Sequence, residues 1–182
     1  MNNSAYLWKT AFGWAALVYS DSGAVSFDFG FSSRTECLTR ARAANKKMLD
    51  ACLQDGSVGI IKSVDSGPGW LTSAVESIDE YFAGSNPRFI LPLDFGGYSE
   101  FQKAVWRAAM KIPYGETRAY SWIAEQAGSA GATRAAGSAL GANPLPVIVP
   151  CHRIVRSDGT LGGFGMGLPM KERLLKLEGR FS

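Results

Sequence analysis

The sequence predicts an α+β chain in two parts: a small N-terminal domain of antiparallel sheet plus helix over residues 1–90, and a mainly helical domain over 91–182 that contains a helix-turn-helix. Three observations carry that expectation. Val25, Phe27 and Phe29 alternate with Ser26, Asp28 and Gly30, the period-two pattern of a half-buried strand. Further on, apolar residues recur at helical spacing behind recognisable caps. Between the two regimes, Gly84-Ser85-Asn86-Pro87 and the stretch from Pro92 to Gly97 resist regular structure, which places the boundary.

Taken in order, the first thirty residues read as strands, with Asp21-Ser22-Gly23 supplying a turn. Ser33 and Glu36 form the signature of a capping box. Behind it Leu38, Ala41, Ala44, Met48, Ala51 and Cys52 lie on one helical stripe, with Arg40, Lys47 and Asp50 facing away. Leu71, Val75, Ile78 and Phe82 share a face of a second helix that Gly84 stops. In the second half, Ser99 and Gln102 cap a helix carrying Phe101, Val105, Ala108 and Ile112, and Pro113 to Glu116 is a turn. Tyr120 to Ala127 forms a short helix closed by Gly128, and Thr133 to Leu140 forms another before Asn143-Pro144. Two short helices joined by a glycine-containing turn fit a helix-turn-helix, although such pairs also occur in ordinary helical cores.

Composition narrows the function classes. Of the 182 residues 46% are hydrophobic and 19% charged, which excludes a disordered or collagen-like chain. The longest apolar run, Phe12 to Tyr19, falls well short of the roughly 18 residues a membrane span needs. The start Met-Asn-Asn-Ser lacks the basic residues of a secretory signal, so a cytoplasmic protein without a membrane partner is expected. Three cysteines are too few for a disulfide scaffold. Cys37 and Cys52 fall on one predicted helix, about 22 Å apart at 1.5 Å rise per residue, too far for a disulfide or a shared metal. With one histidine in the chain, a zinc site of the usual Cys/His kind is not expected, and no cofactor is assigned. Charge is uneven. Residues 1–85 carry 7 Lys/Arg against 9 Asp/Glu, whereas residues 86–182 carry 12 against 7, a balance suited to a polyanionic partner for the second half.

The chemistry gathers in residues 146–155. Pro146, Pro150 and the apolar Val147, Ile148 and Val149 form a stiff approach to Cys151 and His152. A thiol is a weak nucleophile until deprotonated, and a neighbouring imidazole can take its proton, directly or through a water. Glu178, on the final predicted helix, could orient that imidazole as the third member of a nucleophile–base–acid array. A buried structural cysteine beside a satisfied histidine would look the same in isolation.

The string from Asn143 to Val155 closely resembles the active-site signature of the O6-alkylguanine-DNA alkyltransferases, the methylated-DNA–protein-cysteine methyltransferases. The resemblance spans nearly all of residues 95–180. It includes Phe101-Gln102 with Val105-Trp106, Ile112 to Thr117, Tyr120, Ala132 to Arg134, Gly159 to Gly163, Lys171, Leu174-Leu175 and Glu178. It implies a DNA-binding alkyltransferase domain acting on double-stranded DNA that holds O6-alkylguanine. Binding would be through the minor groove, without sequence choice and as a monomer. By the same resemblance Cys151 is the alkyl acceptor, His152 its base, Glu178 the carboxylate holding that base, and Asn143 the brace of the active-site turn. Tyr120 would donate toward N3 of the leaving guanine, and Arg134 would fill the stack left by a flipped nucleotide. Ala135, Gly137, Leu140, Ile154, Val155, Phe164, Gly165 and Met166 would meet the substrate or DNA, and the small residues Ala132, Ala135, Ala136, Gly137 and Ala139 suit close approach in a minor groove. Arg153 reads as structural, tying the turn to a nearby acid.

The sequence departs from the family pattern at Phe164, where a tyrosine is usual, and at Met166, where a small residue is usual. Met166 is therefore expected to crowd bulky alkyl groups while leaving methyl transfer intact. Three other readings compete: a binding module that flips damaged guanine without reacting, against which Cys151 itself speaks; a hydrolase using Cys151, His152 and Glu178; and a sequence-specific helix-turn-helix regulator.

Overall fold

Aromatic and small apolar residues ahead of position 32 form three strands, β1 (Ser4–Thr10), β2 (Gly13–Ser20) and β3 (Gly23–Phe31). The computed structural model describes residues 3–44, 59–61 and 63–180. β1 pairs antiparallel with β2, and β2 with β3, as the alternation predicts. A short β4 (Gly59–Ile61) adds parallel to β1, giving the order β3-β2-β1-β4. Its three residues are too few to show a period in the sequence.

Helices cover both faces of this sheet. α1 (Arg34–Ala44) places Cys37 and Ala41 on Ala5, Leu7, Ala16, Val18 and Val25. On the other face α2 (Trp70–Phe82) inserts Phe82 against Phe12 and Phe29, with centroids 4.6 and 4.9 Å apart. Trp8 Nε1 donates to Asp79 Oδ1 at 3.0 Å on that same face. Val25 and Phe27 therefore face opposite ways, contrary to simple alternation, because the register between β2 and β3 slips at Val18/Tyr19 and a bulge turns the strand over. The expected capping box at Ser33 is only half formed: Ser33 Oγ accepts from Glu36 N–H at 3.1 Å, but Glu36 accepts from Ser32. The remainder of the expected first helix, including Met48, Ala51 and Cys52, lies outside the described residues.

Contacts divide the chain into units 1–97 and 98–182. The division falls later than residue 90 because Pro92 and Asp94 pair with β3: Ala24 N–H donates to Pro92 O, and Asp94 N–H to Ala24 O, both at 2.8 Å. Gly23 permits this approach, since a Cβ there would lie 2.5 Å from Pro92 O.

The second unit opens with α3 (Glu100–Ala109) behind a complete Ser99/Gln102 capping box. α4 (Tyr120–Gln126) and α5 (Thr133–Gly141) follow, with the connectivity of a helix-turn-helix. Trp106 Nε1 donates to Ala139 O at 2.9 Å and locks α3 to α5. The two-residue strands β5 (Arg118–Ala119) and β6 (Ile154–Val155) pair in parallel, and α6 (Leu168–Leu177) packs Leu174 and Leu175 into the core. Among the described residues no helix is long and apolar enough to cross a membrane.

Candidate active site

Two proline-flanked turns deliver Cys151. Residues 145–155 are buried throughout, and Val147 holds φ at 75°, the one described non-glycine residue in the left-handed region. A β-branched side chain avoids that region, so the surrounding packing enforces the turn. Its product is a 3₁₀ turn, Cys151–Arg153, that sets three consecutive side chains to three tasks.

Cys151 lines a cavity of about 1020 Å³ and is 7% exposed. Burial pushes its thiol up to about 11, while the Asn143 amide, donating to Sγ at 3.0 Å, and the charge of Lys171 pull the other way. The thiol is thus protonated at neutral pH and needs a base to react.

His152 is fully buried, with Nε2 2.8 Å from Glu178 Oε1. Burial lowers its pKa below the ordinary imidazole range despite the opposing pull of Glu178. A neutral ring hydrogen-bonded to a carboxylate through Nε2 carries its proton there, which leaves Nδ1 as the basic nitrogen. Arg153 reaches the same carboxylate, donating from Nε to Oε2 at 2.9 Å and from Nη2 to Oε1 at 2.9 Å, and its Nη1 donates to Ile112 O at 2.7 Å. Gly115 N–H completes the set at 3.0 Å to Oε2. Burial alone would raise the pKa of Glu178, but the bonds from His152 and Arg153 prevail and bring it down to about 2. Glu178 caps the end of α6 rather than lying within it.

Tyr120, the first residue of α4, lines the cavity with its hydroxyl donating to Gly163 O at 3.2 Å. Its ring lies beside two glycines: a Cβ on Gly137 would sit 3.7 Å from it, and one on Gly162, at φ +65°, only 2.8 Å. Arg134, Gly137, Leu140, Phe164 and Gly165 line the same cavity, whereas Ala135, exposed on α5, and Met166, half-buried, are not among its lining residues. Ile154 and Val155 are buried in the β5–β6 pair and do not line it either. Phe164 meets the His152 ring edge-on at 6.5 Å between centroids.

The structure adds two residues to which the sequence reading gave no role. Lys171, wholly buried on α6, donates to the carbonyls of Ile154, Leu161 and Gly163, and burial lowers its pKa to about 8. A lysine at helical spacing with Leu174 and Leu175 is the sequence signal that marks it. Arg156 lines the cavity from the hairpin after β6. Among the described residues no group of three His, Cys, Asp or Glu side chains is placed to hold a metal.

Comparison with known proteins agrees with this geometry. Residues 100–180 match the family described as 6-O-methylguanine DNA methyltransferase, DNA binding domain. The methylated-DNA–protein-cysteine methyltransferase of Mycolicibacterium paratuberculosis is 46% identical over 138 residues, covering 76% of this chain and 81% of the relative. The inducible enzyme of that name from Bacillus subtilis is 46% identical over 109 residues, 60% of each chain. Among solved structures, the O6-methylguanine methyltransferase of Mycobacterium tuberculosis superimposes with a TM-score of 0.72 at 32% identity, covering 99% of this chain and 95% of that one. A structure of Mycobacterium tuberculosis OGT in complex with DNA gives 0.72 at 34% identity, over 96% and 92%.

Proposed function

The chain belongs to the methylated-DNA–protein-cysteine methyltransferase family, and on that premise we propose that it repairs DNA by transferring the methyl group of O6-methylguanine directly and irreversibly to Cys151. The observation that carries this reading is the thiol of Cys151 at the cavity wall, braced by Asn143, with the buried His152–Glu178 couple following it in the chain.

The thiol proton passes through a water to His152 Nδ1, and the imidazolium so formed is held by the Glu178 carboxylate. Sulfur attacks the methyl carbon as the C–O6 bond breaks, and the electron pair of that bond goes to the guanine. Tyr120 turns its hydroxyl from Gly163 toward N3 and shares its proton with the departing base, which leaves neutral or weakly anionic. The product is a thioether, and its removal would require a second nucleophile to expel a thiolate from carbon. Cys37 does not supply one, being buried in the core of the first unit with its thiol pushed up to about 12. Each molecule therefore acts once.

The protein binds DNA, and α5 is the element suited to it. Small residues there permit a close fit to the minor groove without base readout, and Arg134 stands exposed at its start, where a side chain can occupy the gap left by an extruded base. A monomer suffices because every group named belongs to one chain, and a free thiol suits the reducing cytoplasm.

Intact mass should rise by one methyl unit per chain after mixing with duplex DNA containing O6-methylguanine, with peptide mapping placing it on Cys151. Turnover, or label on Cys37 or Cys52, would overturn the reading. Cys151→Ala should abolish transfer and retain DNA binding, and the same assay with O4-methylthymine decides whether that lesion is a second substrate.

A further inference from the structure

Two arginines line the cavity, and the chemistry above employs one of them. Arg134 belongs to α5, while Arg156 begins the hairpin behind β6. That hairpin closes on its own backbone: Arg156 N–H donates to Thr160 O at 2.8 Å, and Gly159 N–H to Arg156 O at 3.0 Å. Its one carboxylate, Asp158, is committed within the turn, accepting from the Thr160 N–H at 2.9 Å and hydroxyl at 2.7 Å. Arg156 itself is exposed and enters no ion pair among the described residues. Lys171 ties down the chain on either side of this turn, donating to Ile154 O before it and to Leu161 O and Gly163 O after it, so Arg156 lines the cavity from an anchored segment.

Tyr120 lies between the two walls, beside Gly137 on the α5 side and Gly162 on the hairpin side. Burial and the nearby Cys151 raise the pKa of this ring's hydroxyl, and the charge of Arg156 reaches it and pulls the other way. A base drawn into the space beside Tyr120 brings its own flanking phosphodiesters to the rim. The charge of Arg156 also reaches Asp158, but the two form no ion pair, and a guanidinium outside any ion pair offers two parallel N–H donors, the arrangement a phosphate accepts in bidentate fashion.

We infer that Arg156 holds a backbone phosphate of the extruded nucleotide, an inference that rests on the alkyltransferase reading of the cavity. It separates the duties of the two arginines. Arg134 replaces a lost stacking partner and matters where a stack has to be broken, so Arg134→Ala slows repair of duplex more than of single strands. Arg156 grips the nucleotide after extrusion and matters wherever the guanine carries its phosphates.

The test compares transfer rates from a single-stranded O6-methylguanine oligonucleotide and from free O6-benzylguanine, a base with no phosphate. In Arg156→Gln the oligonucleotide-to-free-base rate ratio should fall about tenfold or more, the loss of a charge-assisted bidentate contact. The dependence of log rate on log salt should become shallower by about 0.7 with the oligonucleotide. Arg156→Lys should recover part of the ratio by keeping the charge without the fork. A methylphosphonate at one of the two phosphates flanking the lesion should slow the wild type and add no further loss in Arg156→Gln. An unchanged ratio, or a methylphosphonate penalty at both positions that is undiminished in the variant, would overturn the assignment. If the wild type reacts with neither substrate, the alkyltransferase reading fails, and this inference with it.

Discussion

Asn143 donates its side-chain amide to Cys151 Sγ across 3.0 Å, toward the atom that the proposed transfer makes negative. The same amide nitrogen donates to Val149 O at 2.9 Å, and Asn143 Oδ1 accepts from Leu145 N–H at 3.0 Å. One side chain thus staples both ends of the Leu145–Val149 turn and favours the thiolate that the turn presents. Shape and charge are supplied together.

Asn143→Ala removes the donor and leaves backbone groups of the turn without their partner. The Cys151 thiol should move further above about 11, and methyl transfer should slow by about 10- to 100-fold, the worth of a hydrogen bond to a charged group. Single-turnover rates, with the pH dependence of iodoacetamide labelling, measure both effects. An unaltered labelling profile would show that the amide braces the turn without touching the thiol's ionisation.

Glu178 binds its proton far less readily in the fold than in an unfolded chain, with its pKa down at about 2. The stability it contributes is fully present above the ordinary carboxylate range and is lost as pH falls toward that value. The shift corresponds to about 3 kcal/mol. Buried neutral His152 adds loss in the same direction, beginning as pH falls through the ordinary imidazole range, because an unfolded chain takes up that proton first. Glu178→Gln should lower stability at neutral pH by about 3–5 kcal/mol, since it strands the buried Arg153 guanidinium. Denaturant titrations between pH 7 and pH 2 should then show a flatter acid limb in the variant. An equally steep limb would assign acid sensitivity to other carboxylates.

Gly162→Ala brings a methyl group within 2.8 Å of the Tyr120 ring and 2.9 Å of its hydroxyl, at a φ of +65°. The ring has to move, and with it the hydroxyl proposed to donate to the leaving guanine. Overpacking of about 1–3 kcal/mol predicts transfer slower by roughly 5- to 150-fold. Wild-type speed in this variant would mean that Tyr120 need not hold its present position.

Met166→Gly bears on the crowding expected from the sequence. Because the loop lines the cavity with Phe164 and Gly165 and not with Met166, the reaction with free O6-benzylguanine should stay within about twofold of the wild type. A several-fold gain would show that the loop swings Met166 inward when substrate binds.

Much of the second unit was legible in the sequence because its signals are local. The Ser99/Gln102 box formed with both reciprocal bonds, and α5 spans the residues its spacing marked. Cys151, His152 and Glu178 stood out by residue type and spacing, but only tertiary folding brings Glu178 to His152 across 26 positions of chain. What escaped is non-local in the same way. The turn-over of β3 at Val25 follows from a slip in pairing with β2, which no single-strand pattern encodes. The pairing of Pro92 and Asp94 with Ala24 moved the boundary to residue 97 for a related reason. Lys171 reads as an ordinary charge on a helix until three carbonyls converge on it, and Arg156 gains meaning only from the cavity it lines.

His152 is the chain's single histidine, and it lies in the site with no exposure to solvent. Any imidazole resonance in the magnetic resonance spectrum of this 182-residue chain therefore comes from the residue beside Cys151, and no assignment is needed to know it. Its frequency follows the ring's protonation as pH is lowered. When the neighbouring sulfur acquires a methyl group, the same signal should shift once and stay shifted. A sample could then be scored as fresh or spent without DNA, label or digestion, by counting two peaks that report on one nitrogen ring.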